Sequence, residues 1–273
     1  EVSEGFLSTL KNNLTAGGKT YRPVSLWVNW PVTDNSKQHL ILGGGEKFLH
    51  PNVDPSLLSG IMLNPMQQSE PSKIALFSGA QYSWKQWKSE EEAKKLNDIA
   101  FNFVENGHFE DSKVSAAFRE LGKHMINQNM DGRVVKLEES VELAPKLTDF
   151  MTKLKAGQDV TAERTALRAE FAKIKEAAEL YKASGDQKMV AQIHYWLDNA
   201  IDQMDALDAF LTGTEAMATN DAAKLWDSYY KGLKLYEQSQ THTFHYVDHL
   251  EKAELGVQHI RPFILSLKEV LAS

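Results

Sequence analysis

The chain has 273 residues, 42% hydrophobic and 25% charged, which are ordinary values for a protein with a sizeable core. A net charge of −7 argues against a nucleic-acid partner, and the absence of cysteine excludes disulfides and thiolate metal sites. No apolar run approaches the length of a membrane span. The sequence opens at Glu1 with no visible leader, which reads as a processed product or a fragment.

In chain order, Glu4 to Ala16 carries Phe6, Leu7, Leu10 and Leu14 at helical spacing, with Gly17-Gly18 closing the helix. Tyr21 to Asn29 is β-branched and aromatic and predicts a first strand. A loop-rich stretch follows to Pro55, with Leu40-Ile41-Leu42 running into Gly43-Gly44-Gly45. That triple glycine lacks the Lys-Ser or Lys-Thr of a phosphate loop, so a flexible active-site loop is the expectation. Asp54 is placed to cap a short helix through Leu58, Gly60 to Leu63 predicts a second strand, and helix returns after Pro71 through Trp84 and Trp87. Two strands joined through a short helix read as parallel neighbours, and such a pair alone leaves long unpaired edges. The first region therefore reads as part of a larger α/β sheet.

From about Ser89 the pattern is helical throughout, with breaks near Asn106-Gly107, Asp131-Gly132, Gly157, Ser184-Gly185, Gly213 and Gln240-Thr241. Leu167, Phe171, Ile174, Ala178 and Tyr181 follow three-four spacing, as do Met189, Ile193, Trp196, Ala200 and Met204. Long helices with short connections predict an antiparallel bundle. The expected division is residues 1–88, α/β, and residues 89–273, an all-α helical bundle, mostly α overall.

The chemistry-bearing stretch is Leu26 to Asp34, with Asn64-Pro65-Met66 as its echo. Strand alternation points Trp27 and Asn29 the same way, and Pro31, without a backbone donor, predicts the strand end. Asp34 then lies just past the tip, beside an aromatic plane and a carboxamide. Those are the parts of a sugar pocket. The same residues also fit a buried strand with a Trp in the core and Asp34 in a turn, since pockets and cores share a composition. Trp30 is assigned to packing, and Val28 to the opposite face.

Trp27-x-Asn29-x-Pro31-Val32-Thr33-Asp34, then Asn64-Pro65-Met66, Ser72-Lys73-Ile74-Ala75 and Tyr82-Ser83-Trp84, resembles the late barrel strands of family 84 glycoside hydrolases. These are β-N-acetylglucosaminidases, including bacterial enzymes called hyaluronidases and the animal O-GlcNAcases. The resemblance implies the end of a (β/α)8 catalytic barrel over residues 1–88, with the helical bundle behind it. It implies a retaining, substrate-assisted reaction, an exception to the usual two-carboxylate scheme. The family's adjacent catalytic aspartates have no counterpart here: the acidic neighbours are Glu90-Glu91-Glu92, Glu110-Asp111 and Glu138-Glu139, at or near expected helix starts. The implied pair lies upstream, so no catalytic residue is assigned to this chain. By motif position, Asp34 resembles the carboxylate that accepts from two sugar hydroxyls, and Asn64 the amide that holds another. Asn29 resembles the amide near the acetamido end, and Trp27 the wall of the acetamido pocket.

The implied partners are an N-acetylglucosamine-containing glycan or glycoconjugate and the missing N-terminal part of the barrel, with no cofactor and no metal. Secretion or cell-surface display follows from bacterial relatives alone. His242, His245 and His249 have spacings of three and four, which on one helix face suit zinc, but an ordinary bundle helix also explains them. His194 reads as a packed bundle histidine, and Tyr229, Tyr230 and Tyr236 as core or as a docking face. The alternative to a glycosidase fragment is a noncatalytic interaction or glycan-binding module.

Overall fold

The computed structural model describes residues 1–126 and 137–273; the break expected at Asp131-Gly132 lies outside them. Helix α1, Glu4–Leu14, starts at Ser3, whose hydroxyl accepts the Phe6 amide. Strands β1, Val24–Pro31, and β2, Leu58–Asn64, pair in parallel, with Trp27 opposite Met62 and Val28 opposite Leu63. Among the described residues these two strands form a sheet by themselves. Asp54 Oδ1 accepts the Ser56 amide at 2.9 Å and starts a single 3-10 turn, so β2 begins two residues earlier than expected.

Helix α2, Ser69–Trp84, also begins early, with Pro71 inside its first turn. An amide there has no intrahelical partner, so proline is tolerated. Gly79 seats the helix on β2, where a Cβ would stand 2.5 Å from a Leu63 methyl. Trp87, expected on this helix, lies beyond its end, buried edge-on against Tyr82 with ring centroids 4.9 Å apart.

The triple glycine is a packing site rather than an open loop. Leu40, Ile41 and Leu42 before it are buried. Trp30 Nε1 donates to the Gly43 carbonyl at 3.0 Å, and a Cβ on Gly45 would stand 2.7 Å from the Trp30 ring.

Helices α3, Glu90–Asn106, and α4, Lys113–Gly122, lead into the helical region. Gly107 closes α3 at φ 73°, and Ser112 with Ser115 forms a capping box at the start of α4. Helices α5, Ala144–Lys155, α6, Thr161–Ser184, α7, Gln187–Ala218, α8, Ala222–Ser239, and α9, Ile260–Ala272, complete the bundle. Asp186 caps α7 by accepting the Lys188 and Met189 amides, which turns the chain back on itself after α6. Gly213 does not break α7. It lies within the helix where α9 comes close: a Cβ would meet Leu271 methyls at 3.1 Å, so the small residue serves packing. The break comes instead at Asn220, which takes a left-handed φ of 55°.

Phe118 on α4 stacks on Tyr181 of α6 at 4.5 Å, and the Tyr181 hydroxyl donates to Glu105 at 2.6 Å. Buried hydrophobic residues from both regions belong to one core cluster. Among the described residues, no helix is long and apolar enough to cross a membrane.

The segment after α8 departs from the all-helical expectation. Strands β3, Thr243–Tyr246, and β4, His249–Lys252, form an antiparallel hairpin. Thr243, Phe244 and Tyr246 favour strand, and alternation separates the three histidines that a helix would align. His242 Nε2 bonds Asp202 at 2.7 Å, and His249 bonds Asp248 and Glu251 at 2.8 Å each. Among the described residues no group of three ligand-type side chains is placed to hold a metal.

Candidate functional site

The site grows from an irregularity in β1. Val28 pairs with Leu63 and Pro31 with Asn64, so β1 advances three residues while β2 advances one. Burial alternates regularly from Val24 to Trp30, and the bulge breaks that alternation only at Pro31, which is buried next to Trp30. Trp30 turns inward and is fully buried, stacked near Phe48. Val28 is buried as well, while Asn29 is exposed and Trp27 is 63% exposed. A tryptophan of this stretch does lie in the core, but it is Trp30, while Trp27 stands in solvent.

Three of the four expected residues meet at one atom. Trp27 Nε1 donates to Asn29 Oδ1 at 2.8 Å, and Asn64 Nδ2 donates to the same oxygen at 3.2 Å. Two donors on that oxygen fix the orientation of the Asn29 amide and tie the strand tips together. The indole face of Trp27 remains open, a surface on which an apolar sugar face can stack.

Asp34 is exposed, just past the strand, in a turn where the Ser36 amide donates to the Thr33 carbonyl at 3.0 Å. It has no hydrogen bond to the other three. An exposed carboxylate here is free to accept hydroxyl donors in charge-assisted bonds.

Sequence reasoning missed the neighbour on the Asp34 side. Lys37 Nζ lies 4.9 Å from the centroid of the Tyr246 ring on the β3–β4 hairpin. Burial, with the carboxylates of Asp34 and Glu251 nearby, pushes the Tyr246 phenol above its ordinary range. His249 is raised by its hydrogen bonds to Asp248 and Glu251. The aromatic alternation from Thr243 to Tyr246 was the available signal, overshadowed by histidine spacing that also suits a helix.

Other assignments sort by burial. Glu90, Glu91 and Glu92 occupy the first turn of α3. Glu139 is buried, its carboxylate accepting the Gln258 amide at 2.7 Å and the Ile126 amide at 3.4 Å, so it is an internal acceptor rather than a helix-start charge. His194 is partly exposed, its ring 3.8 Å from that of Tyr195. Tyr236 is buried, whereas Tyr230 is 63% exposed beside Trp226.

Residues 6–123 match the family model described as beta-N-acetylglucosaminidase, and residues 142–243 the one described as hyaluronidase post-catalytic domain-like. Among solved structures, CpGH84D is similar over 99% of this chain and 43% of its own, at 25% identity and a TM-score of 0.86. CpGH84B is similar in fold over 96% of this chain and 41% of its own, at 22% identity and a TM-score of 0.74. A mutant Thermobaculum terrenum O-GlcNAc hydrolase is similar in fold over 98% of this chain and 52% of its own, at 19% identity and a TM-score of 0.68. This chain thus spans about half or less of each of these structures. Family models and structural likeness agree that the chain resembles the C-terminal part of the family 84 glycoside hydrolases.

Proposed function

We propose that this chain is the C-terminal part of a retaining, substrate-assisted β-N-acetylglucosaminidase. In this reading residues 1–88 complete a catalytic barrel begun upstream, and the helical bundle follows. Trp27, Asn29, Asp34 and Asn64 bind the sugar, while the aspartate pair that handles the acetamido group and the leaving oxygen lies upstream. The convergence of Trp27 and Asn64 on the Asn29 side-chain oxygen carries the reading, because it presents a ring and two amides together at strand tips. A site that bonds hydroxyls discriminates strongly against sugars lacking them. The open edges of the β1–β2 sheet give upstream strands somewhere to pair. The ligand class is an N-acetylglucosamine-terminated glycan or glycoconjugate, and secretion or surface display is part of the same proposal.

Two measurements test this. Proton NMR of the reaction of the full-length polypeptide with an aryl N-acetyl-β-glucosaminide should show the β anomer first; the α anomer first contradicts retention. The purified 273-residue chain, its mass verified, should give no turnover. Hydrolysis by that chain, abolished by Asp34→Ala, would overturn the placement of the acid/base pair.

A noncatalytic role for the bundle has one observation in its favour. Trp226 and Tyr230 are exposed one helical turn apart on α8, with ring planes 32° apart. Loss of glycan binding by the isolated chain on Trp226→Ala would support it, and unchanged binding would remove it.

A further inference from the structure

The loops leaving β1 and β2 both latch onto the β3–β4 hairpin, which comes from the far end of the chain. From the first loop, Gln38 Nε2 donates to Glu251 at 3.3 Å, and Lys37 lies over Tyr246. From the second, Gln67 Nε2 donates to the His245 carbonyl at 2.7 Å. These loops follow Asp34 and Asn64 by only three or four residues, so the hairpin borders the side of the site where those two stand.

The hairpin has a firm mount. Phe244 is buried with its ring 4.6 Å from that of Trp196 on α7, and the Glu254 amide donates to the Gln38 carbonyl at 3.0 Å. Its tip is the opposite: Val247 is 86% exposed at φ 54°, a left-handed conformation that disfavours a β-branched residue. The two-residue turn Val247-Asp248 between the paired Tyr246 and His249 calls for a positive φ at its first position, so the tip is a tight hairpin turn carrying an exposed β-branched side chain. Tyr246, next to the tip, is held on two sides, by Lys37 and by the His249 ring 5.8 Å away.

We propose that this hairpin is a wall of the sugar site, with Tyr246 a specificity-determining residue that admits free hydroxyls beside Asp34 and turns away sugars substituted there. The inference rests on the glycosidase reading above and adds what bounds the pocket at its hydroxyl-binding end. The ligand it selects is a terminal N-acetylglucosamine residue whose hydroxyls at that end carry no ether, glycosyl or ester group. Tyr246 is a positioning and excluding group, not a catalytic one.

The test compares kcat/KM of the full-length polypeptide on an aryl N-acetyl-β-glucosaminide and on its 4-O-methyl and 6-O-methyl ethers. The wild type should prefer the free sugar over at least one ether by about tenfold or more. Tyr246→Ala should narrow that preference by about fivefold through a lower KM for the ether, while Tyr246→Phe keeps the ring and the preference. Gln67→Ala, which unlatches the hairpin from the second loop, should narrow it in the same direction and carries the test if Tyr246→Ala does not fold. An unchanged preference in both Tyr246→Ala and Gln67→Ala, or an equal loss on all substrates, overturns the wall while leaving the glycosidase reading intact. A wild type that hydrolyses none of the substrates overturns that reading and this inference with it.

Discussion

In the α/β region Trp27, Phe6 and Met62 stand largely in solvent around a sheet of two strands, whereas Trp196, Phe171 and Phe210 are sealed among the helices of the bundle. One buried carboxamide of the bundle also knits it together from within. Asn199 donates to the Ser239 carbonyl at 2.8 Å and accepts from the Leu255 amide at 3.0 Å, tying α7 to both ends of the segment carrying the hairpin. The strand tips behave differently: their amides are bonded to each other and still exposed. One region closes on itself, and the other presents chemistry outward from a rigid backing. Under the function proposed above, the bundle holds the strand-tip loops and the tips meet the ligand.

The sharpest test of that contrast uses two tryptophans three residues apart on β1. Trp30→Ala should cost about 3–5 kcal/mol in urea denaturation, because it empties a fully buried site against Phe48 and Gly45. Trp27→Ala should cost under about 1 kcal/mol, since it loses one exposed hydrogen bond. Equal losses would mean that Trp27 is structural and the outward-facing description is wrong.

A smaller effect probes the closed region. Gly232 on α8 faces Phe210 of α7, and a Cβ there would stand 2.6 Å from the ring. Alanine gains roughly 1 kcal/mol of helix propensity but overpacks a full core, so Gly232→Ala should lose about 1–2 kcal/mol net. A stabilised variant would show that the α7–α8 contact yields more easily than its packing implies.

Acid offers a further handle on the helical region, where α4 meets α6. Burial opposes ionisation of Glu120, yet the His124 ring 3.9 Å away and ion pairs with Lys173 at 2.9 Å and Lys123 at 3.1 Å hold its carboxyl well below its ordinary 4.5. A depressed carboxyl contributes stability that is present above the unfolded value and lost as pH falls below it. The melting temperature should therefore drop from about pH 5 to about pH 3, and Glu120→Gln should be less stable at neutral pH with a shallower drop. An equally steep drop in the variant assigns acid lability elsewhere. The smallest signal is at the hairpin tip. His249 should titrate by NMR above its ordinary 6.5, and its contribution should fade as pH rises through that midpoint.

Much of this was legible in the sequence where local chemistry decides structure. Asn29-x-Pro31 announced the strand end, Asp54 and Gly107 announced their caps, and the order of polar residues around Trp27 carried the family resemblance. What escaped was set by contacts distant along the chain. Gly213 reads locally as a helix break, and only its approach to Leu271 explains why α7 runs through it. Gly43-Gly44-Gly45 reads as open loop because its partner, Trp30, lies on another element. The hairpin at Thr243–Lys252 was hidden by histidines at helical spacing, and its place beside Asp34 depends on residues more than two hundred positions apart in sequence.

The most direct measurement is the hydrolysis of an aryl N-acetyl-β-glucosaminide by the full-length polypeptide, with wild type and Asp34→Ala compared at matched folded concentration. The wild type should turn over, and the variant should lose about a hundredfold or more in kcat/KM, as expected when charge-assisted bonds to hydroxyls are removed. Its melting temperature should stay unchanged, because Asp34 is exposed and makes no bond to the strand-tip cluster. Full activity in Asp34→Ala, or no turnover by the wild type, would contradict the assignment of these strand tips to a sugar site.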